Sequence, residues 1–120
     1  MEESGGMADE EIEKAEIVGE TSIDPHAVYD ALRECYDPEI PVNIVDLGLV
    51  YNLRIEGASV DVTMTLTAIG CPVAGEVMAE VEGRVREVGG VEQCQVTLTF
   101  EPPWTPERMT EDARWELGMN

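Results

Sequence analysis

Residues 60–88 constrain this chain more than any other stretch. Val60, Val62, Met64 and Leu66 alternate with Asp61, Thr63 and Thr65, the period of a half-buried strand. Val73, Val77, Val81, Val85 and Val88 then recur at spacings of four and three, the stripe of an amphipathic helix. Cys71-Pro72 stands at the joint. Pro72 suits a first helical position, where its missing N–H costs nothing. Cys71 is thereby placed at or near the N-cap, facing unpaired amide donors and the positive end of the helix dipole. Such a setting favours thiolate over thiol and lowers a cysteine pKa from about 8.5 to roughly 3.5–7.5. The competing reading is that Cys71 is a small buried hydrophobe, as free cysteines often are.

The rest of the chain builds around that joint. Asp24 is a good N-cap and Pro25 a good first residue for a helix of about three turns, with Val28, Ala31, Leu32 and Cys35 on one face. Cys35 reads as core, and His26, the sole histidine, as a surface residue. Asp37-Pro38-Glu39-Ile40-Pro41 stops the helix, because each proline excludes regular structure and pushes its predecessor toward extended geometry. The two carboxylates of this loop, Asp37 and Glu39, are either a solvated turn or acceptors held beside a reactive site. A strand is predicted over 46–55, with Leu47, Leu49, Tyr51, Leu53 and Ile55 on one face. A turn at Glu56-Gly57-Ala58-Ser59 returns the chain as the strand through Thr67, an antiparallel hairpin. The valine-rich helix ends near Gly89-Gly90. A third strand runs from about Val91 to Phe100, with Cys94 on its apolar face. Thr105-Pro106 opens a final helix that aligns Met109, Ala113 and Leu117.

The expected fold class is therefore α+β: a small two-layer sandwich in the order α-β-β-α-β-α, its three-stranded sheet carrying helices on one face. An open edge or face of so small a sheet would favour a homodimer. Residues 1–23 hold eight acidic residues and one lysine and read as a disordered, self-repelling tail, which leaves 24–120 as the folded domain.

Charge narrows the partners. The formal net charge is −19, from 26 acidic and 7 basic residues. A chain so poor in Lys and Arg is unsuited to nucleic acid or to anionic membrane surfaces. No apolar run approaches a membrane span, and no signal-peptide pattern is present. Three widely spaced cysteines, Cys35, Cys71 and Cys94, form no disulfide framework and suit a reducing cytoplasm.

Three motifs in order carry a resemblance. Residues 37–51, DPEIPVNIVDLGLVY, resemble the opening motif of the family called domain of unknown function 59. Residues 65–72, TLTAIGCP, resemble its second motif, and residues 101–114, EPPWTPERMTEDAR, with Leu117-Gly118-Met119, resemble the closing segment of its bacterial SufT-type branch. The family includes SufT-type iron–sulfur assembly factors, eukaryotic cytosolic iron–sulfur targeting subunits and PaaD-type accessory proteins of phenylacetate degradation. The likeness spans about Asp24 to Met119.

The resemblance implies a maturation factor rather than an enzyme with turnover. Cys71 would be its reactive or metal-ligating thiol, with Asp37, Glu39 and Thr67 shaping the pocket. Ala68 and Ile69 stand where the family often has a second Thr or Pro, a departure that bears on any added hydroxyl role. The closing segment lacks the further cysteines of PaaD-like proteins and so favours the SufT branch. The implied cargo is a transient iron–sulfur cluster or iron, with no stable cofactor, because one thiolate cannot supply the four ligands of a cluster. The implied partners are an iron–sulfur scaffold and client apoproteins. Three alternatives remain at this stage: an accessory protein for a multicomponent oxygenase, a non-catalytic interaction adaptor with Cys71 buried, and a thiol enzyme needing a base within reach, for which the sole histidine, His26, stands about 45 positions away on another helix.

Overall fold

The computed structural model describes residues 15–37, 40–67 and 73–118. Its elements are β1 (Ala15–Val18), α1 (Pro25–Leu32), β2 (Val50–Glu56), β3 (Ser59–Met64), α2 (Ala74–Arg86), β4 (Gln93–Leu98), a 3-10 turn (Pro106–Arg108) and α3 (Glu111–Glu116). The strands form one mixed sheet in spatial order β1-β2-β3-β4. β2 and β3 pair antiparallel, while β1 joins β2 and β4 joins β3 in parallel.

The hairpin is the frame. Gly57-Ala58 makes a two-residue turn, and Gly57 takes the positive φ (60°) that such turns require. Leu53 faces Val62 and Ile55 faces Val60, all fully buried or within 1 % of it. Val60 in turn registers with Cys94, and Val62 with Val96. Onto this inner face α2 sets Val77, Val81 and Val85, the buried part of the predicted stripe. α1 packs beside α2 through Val28 and Leu32, and Arg84 of α2 reaches Glu34 just past α1 (2.8 Å). The opposite face of the hairpin is polar, carrying Asn52 and Arg54 on β2 with Asp61 and Thr63 on β3.

The three-stranded sheet is corrected to four strands. β1 lies within the stretch expected to be a tail, with Ala15 registering on Leu53 and Ile17 on Ile55. Glu16 sits opposite Arg54, with its carboxylate 3.9 Å from the guanidinium. Residues 21–23 are also docked: the Thr21 hydroxyl donates to the Gly57 carbonyl (2.6 Å), and Ile23 is buried. Four residues with one charge and no sustained alternation carry too little local signal; the pairing partner lies some forty positions away. Residues 1–14 of the expected tail lie outside the described residues.

Other boundaries also move. α1 is two turns long, ending at Leu32, with Asp24 accepting the His26 N–H (3.0 Å) as its cap. Residues 44–48 turn instead of extending, so β2 begins at Val50. A β-bulge between Val50 and Asn52 makes Tyr51 the extra residue and breaks its alternation with Leu53. α2 opens at Ala74 with Val73 as N-cap, and Cys71-Pro72, where the start was expected, lies outside the described residues. The final helix is split. A 3-10 turn after Thr105 is followed by α3, which Thr110 caps by accepting the Ala113 N–H (3.2 Å).

Candidate functional site

The described part of the site is built where α1 exits and β3 ends. After Leu32 the chain makes one more turn, with the Cys35 N–H donating to the Leu32 carbonyl (3.0 Å). Tyr36 then bridges antiparallel to Asn43, and the Ile44 N–H donates to the Cys35 carbonyl (2.9 Å). These bonds pinch the base of the proline-flanked loop. Asp37 stands inside the pinch and is buried, 5 % exposed. Its carboxylate accepts the Ile40 N–H (2.9 Å), which folds the loop back on itself.

Thr67 comes to the same carboxylate from the other side of the sequence. The Thr65 N–H donates to the Leu49 carbonyl (2.9 Å), carrying the hairpin ladder past β3. Thr65 and Leu66 are buried there. The Thr67 hydroxyl then lies 3.2 Å from both carboxylate oxygens of Asp37, a shared donation across thirty residues of chain. A charged acceptor makes this stronger than a neutral hydroxyl bond. Of the four residues proposed from sequence, Asp37 and Thr67 are thus brought together. Glu39 and Cys71 lie outside the described residues.

The other cysteines are disposed as read. Cys35 is fully buried, its thiol directed at the Ala31 carbonyl (3.8 Å), and Cys94 is 8 % exposed. Burial pushes the Cys35 thiol up from 9.0 to about 11, with Glu80 adding to the rise. Burial does the same to Cys94, also to about 11, with Glu82 assisting. Burial holds both in the neutral thiol form, which disfavours them as nucleophiles. Among the described residues no group of three or more His, Cys, Asp or Glu could hold a metal ion.

A second convergence escaped the sequence reading. The closing segment lies along the turn that follows the loop. Trp104 Nε1 donates to the Leu47 carbonyl (2.6 Å), the Thr110 N–H to the Asp46 carbonyl (2.8 Å), and the Tyr51 hydroxyl to the Pro102 carbonyl (2.8 Å). Arg108 stacks over the Tyr51 ring at 4.7 Å. Gly48, at φ 79°, leaves room for the Arg108 backbone where any Cβ would collide. The three motifs far apart in sequence therefore form one connected region: the first bonds to the second through Asp37 and Thr67, and to the third through residues 46–51.

Comparison with known proteins adds the decisive observation: residues 25–98 match the model of a family described as iron–sulfur cluster assembly protein. The chain belongs to that family. It is 52 % identical over 89 residues to an Fe-S protein maturation auxiliary factor of Porphyromonas gingivalis, covering 72 % of this chain and 84 % of that protein. The auxiliary factor SufT of Staphylococcus aureus is 35 % identical over 85 residues, covering 70 % of this chain and 97 % of the relative. The crystal structure of a domain of unknown function 59 protein from Bacillus anthracis superposes with a TM-score of 0.71 at 39 % identity, covering 78 % of this chain and 90 % of that one. The protein is an iron–sulfur assembly and maturation factor of the SufT type. Among the described residues no helix is long and apolar enough to cross a membrane.

Proposed function

We propose that the protein handles iron or an iron–sulfur cluster transiently through Cys71 and passes it to client apoproteins. Asp37, Glu39 and Thr67 act as the supporting pocket. The observation that carries this reading is the Asp37–Thr67 hydrogen bond, 3.2 Å to each oxygen. It fastens the acidic loop to the segment that leads, four residues later, to Cys71. Burial of Cys35 and Cys94 as neutral thiols supports the choice among the three cysteines.

The chemistry follows from ligand count. Thiolate is the soft donor that iron–sulfur clusters use, and a cluster takes about four ligands. One cysteine per chain leaves the remaining positions to a scaffold, a recipient or a small thiol. The cargo is held in transit and the factor is not a catalyst with turnover. Hydrogen bonds around the acceptor loop would orient the approaching partner and tune access to the sulfur. Release is then ligand exchange, in which the recipient's thiolates replace that of Cys71.

The test is anaerobic reconstitution with iron and sulfide, read by absorbance and by transfer to an apo-ferredoxin. Wild type should gain cluster absorbance and transfer it, whereas Cys71→Ser should do neither while keeping its circular dichroism. Iodoacetamide should label Cys71 first in the native protein, with Cys35 and Cys94 protected. Transfer by Cys71→Ser at the wild-type rate refutes the assignment.

A further inference from the structure

Among the described residues β4 is an edge strand of the sheet, and its partner there is β3 alone. The Gln93 N–H donates to the Ala58 carbonyl (3.2 Å) and the Thr99 N–H to the Met64 carbonyl (2.9 Å). In a parallel ladder alternate residues face one neighbour, so the odd residues of β4 serve β3 and Cys94, Val96 and Leu98 aim their N–H and C=O groups outward. Among the described residues nothing pairs with those groups. An open edge of this kind is commonly blunted by a lysine, a proline, a bulge or an inward charge. β4 carries none of these: residues 93–100 read Gln-Cys-Gln-Val-Thr-Leu-Thr-Phe, in a chain of net charge −19. The opposite edge, β1, is only four residues long and bears Glu16.

We infer that β4 pairs antiparallel with β4 of a second copy of this chain, about a two-fold axis at Val96, joining two four-stranded sheets into one of eight strands. The outward backbone groups restrict the axis to Cys94, Val96 or Leu98, and Val96, the middle one, pairs the whole strand. Residues directly opposite must lie on the same face, and Cys94, Val96 and Leu98 share the inner face. Centring on Val96 sets Cys94 against Leu98 and Val96 against its own symmetry mate, and all three outward residues exchange backbone bonds. Val96 and Leu98, half-buried at the edge, are then covered by their counterparts. On the outer face Gln95 meets Thr97 and Gln93 meets Thr99, pairs without charge.

The occupant is argued from charge. A surface this acidic repels another copy almost everywhere, and β4 is the uncharged, self-complementary strip among the described edges. Its ends are flanked by Glu92 and Glu101, which fall on neighbouring positions of opposite protomers in this register. Association should therefore tighten as salt screens them.

Sedimentation equilibrium on the full chain tests this. Wild type should approach twice the 13.2 kDa chain mass, with roughly tenfold tighter association at about 0.5 M salt than at about 0.05 M. Amides of Cys94, Val96 and Leu98 should exchange more slowly as protein concentration rises. Gln95→Glu with Thr97→Glu sets like charges opposite each other on the exposed face and should leave monomers with unchanged circular dichroism. Val96→Pro removes an outward N–H that β3 does not use and should do the same; if it fails to fold, the double variant decides. A wild type still monomeric at about 1 mM in high salt, a double variant that dimerises like wild type, or protection that appears only on adding an apo-client overturns the inference.

Discussion

Removing the Thr67 hydroxyl tests the link between the acidic loop and the segment that leads to Cys71. In Thr67→Val the side chain keeps its shape and loses the proton shared by both oxygens of Asp37. A hydrogen bond to a charged acceptor contributes about 1.5–3 kcal/mol net. Here each oxygen is 3.2 Å away, longer than the optimum for a charged acceptor, and Thr67 is half-buried, so water replaces part of the loss. The expected cost is therefore near the lower end, about 1–1.5 kcal/mol. Thr67→Ser keeps the hydroxyl and should recover most of it.

The assay is a double-mutant cycle in urea. Asp37→Ala also loses the acceptor of the Ile40 N–H, so on its own it should cost more, about 2–3 kcal/mol. If the two side chains act through their shared bond, the double variant should fall short of the sum by about 1 kcal/mol. Midpoints should shift at constant m, which shows the change to be in stability and not in the unfolded ensemble. Additivity within about 0.3 kcal/mol would mean that the two groups do not communicate. In the same variants Cys71 alkylation should change rate while Cys35 and Cys94 stay protected. An unaltered Cys71 rate in both single variants would separate the acidic loop from the thiol.

The buried thiols predict alkaline weakness. Cys35 and Cys94 both rise from 9.0 to about 11 on folding, so the folded state holds their protons more tightly. Stability from this source is complete below pH 9 and is lost as pH climbs through 11, by about 3 kcal/mol per thiol. Cys35→Ala should flatten that decline by about half relative to its own neutral-pH stability, and thermal melts between pH 8 and 11 measure it. Gly48→Ala forces a Cβ toward the Arg108 backbone at φ 79° and should cost about 2–4 kcal/mol. Its melt should show loss of the Trp104 environment first, and an unchanged melting temperature would contradict the packing of the closing segment against residues 46–51. Val81→Ala leaves a cavity beneath α2 and should cost about 2 kcal/mol by urea titration.

The amino-acid sequence by itself determined the elements whose signal is local. Alternation marked the β2–β3 hairpin and β4, the valine stripe marked α2, and Asp24-Pro25 marked the start of α1, because period and capping act within a few residues. Motif order was also enough to identify the family. Tertiary structure alone decided what depends on distant partners. Β1 exists because β2 offers it a row of backbone groups, and the bulge at Tyr51 appears only when β2 meets β3. Asp37 meets Thr67 because a loop after α1 and the end of β3 fold to the same place. Local propensity is read along the chain, whereas these features draw their free energy from contacts between segments about a dozen to nearly forty residues apart, which no short window of sequence contains.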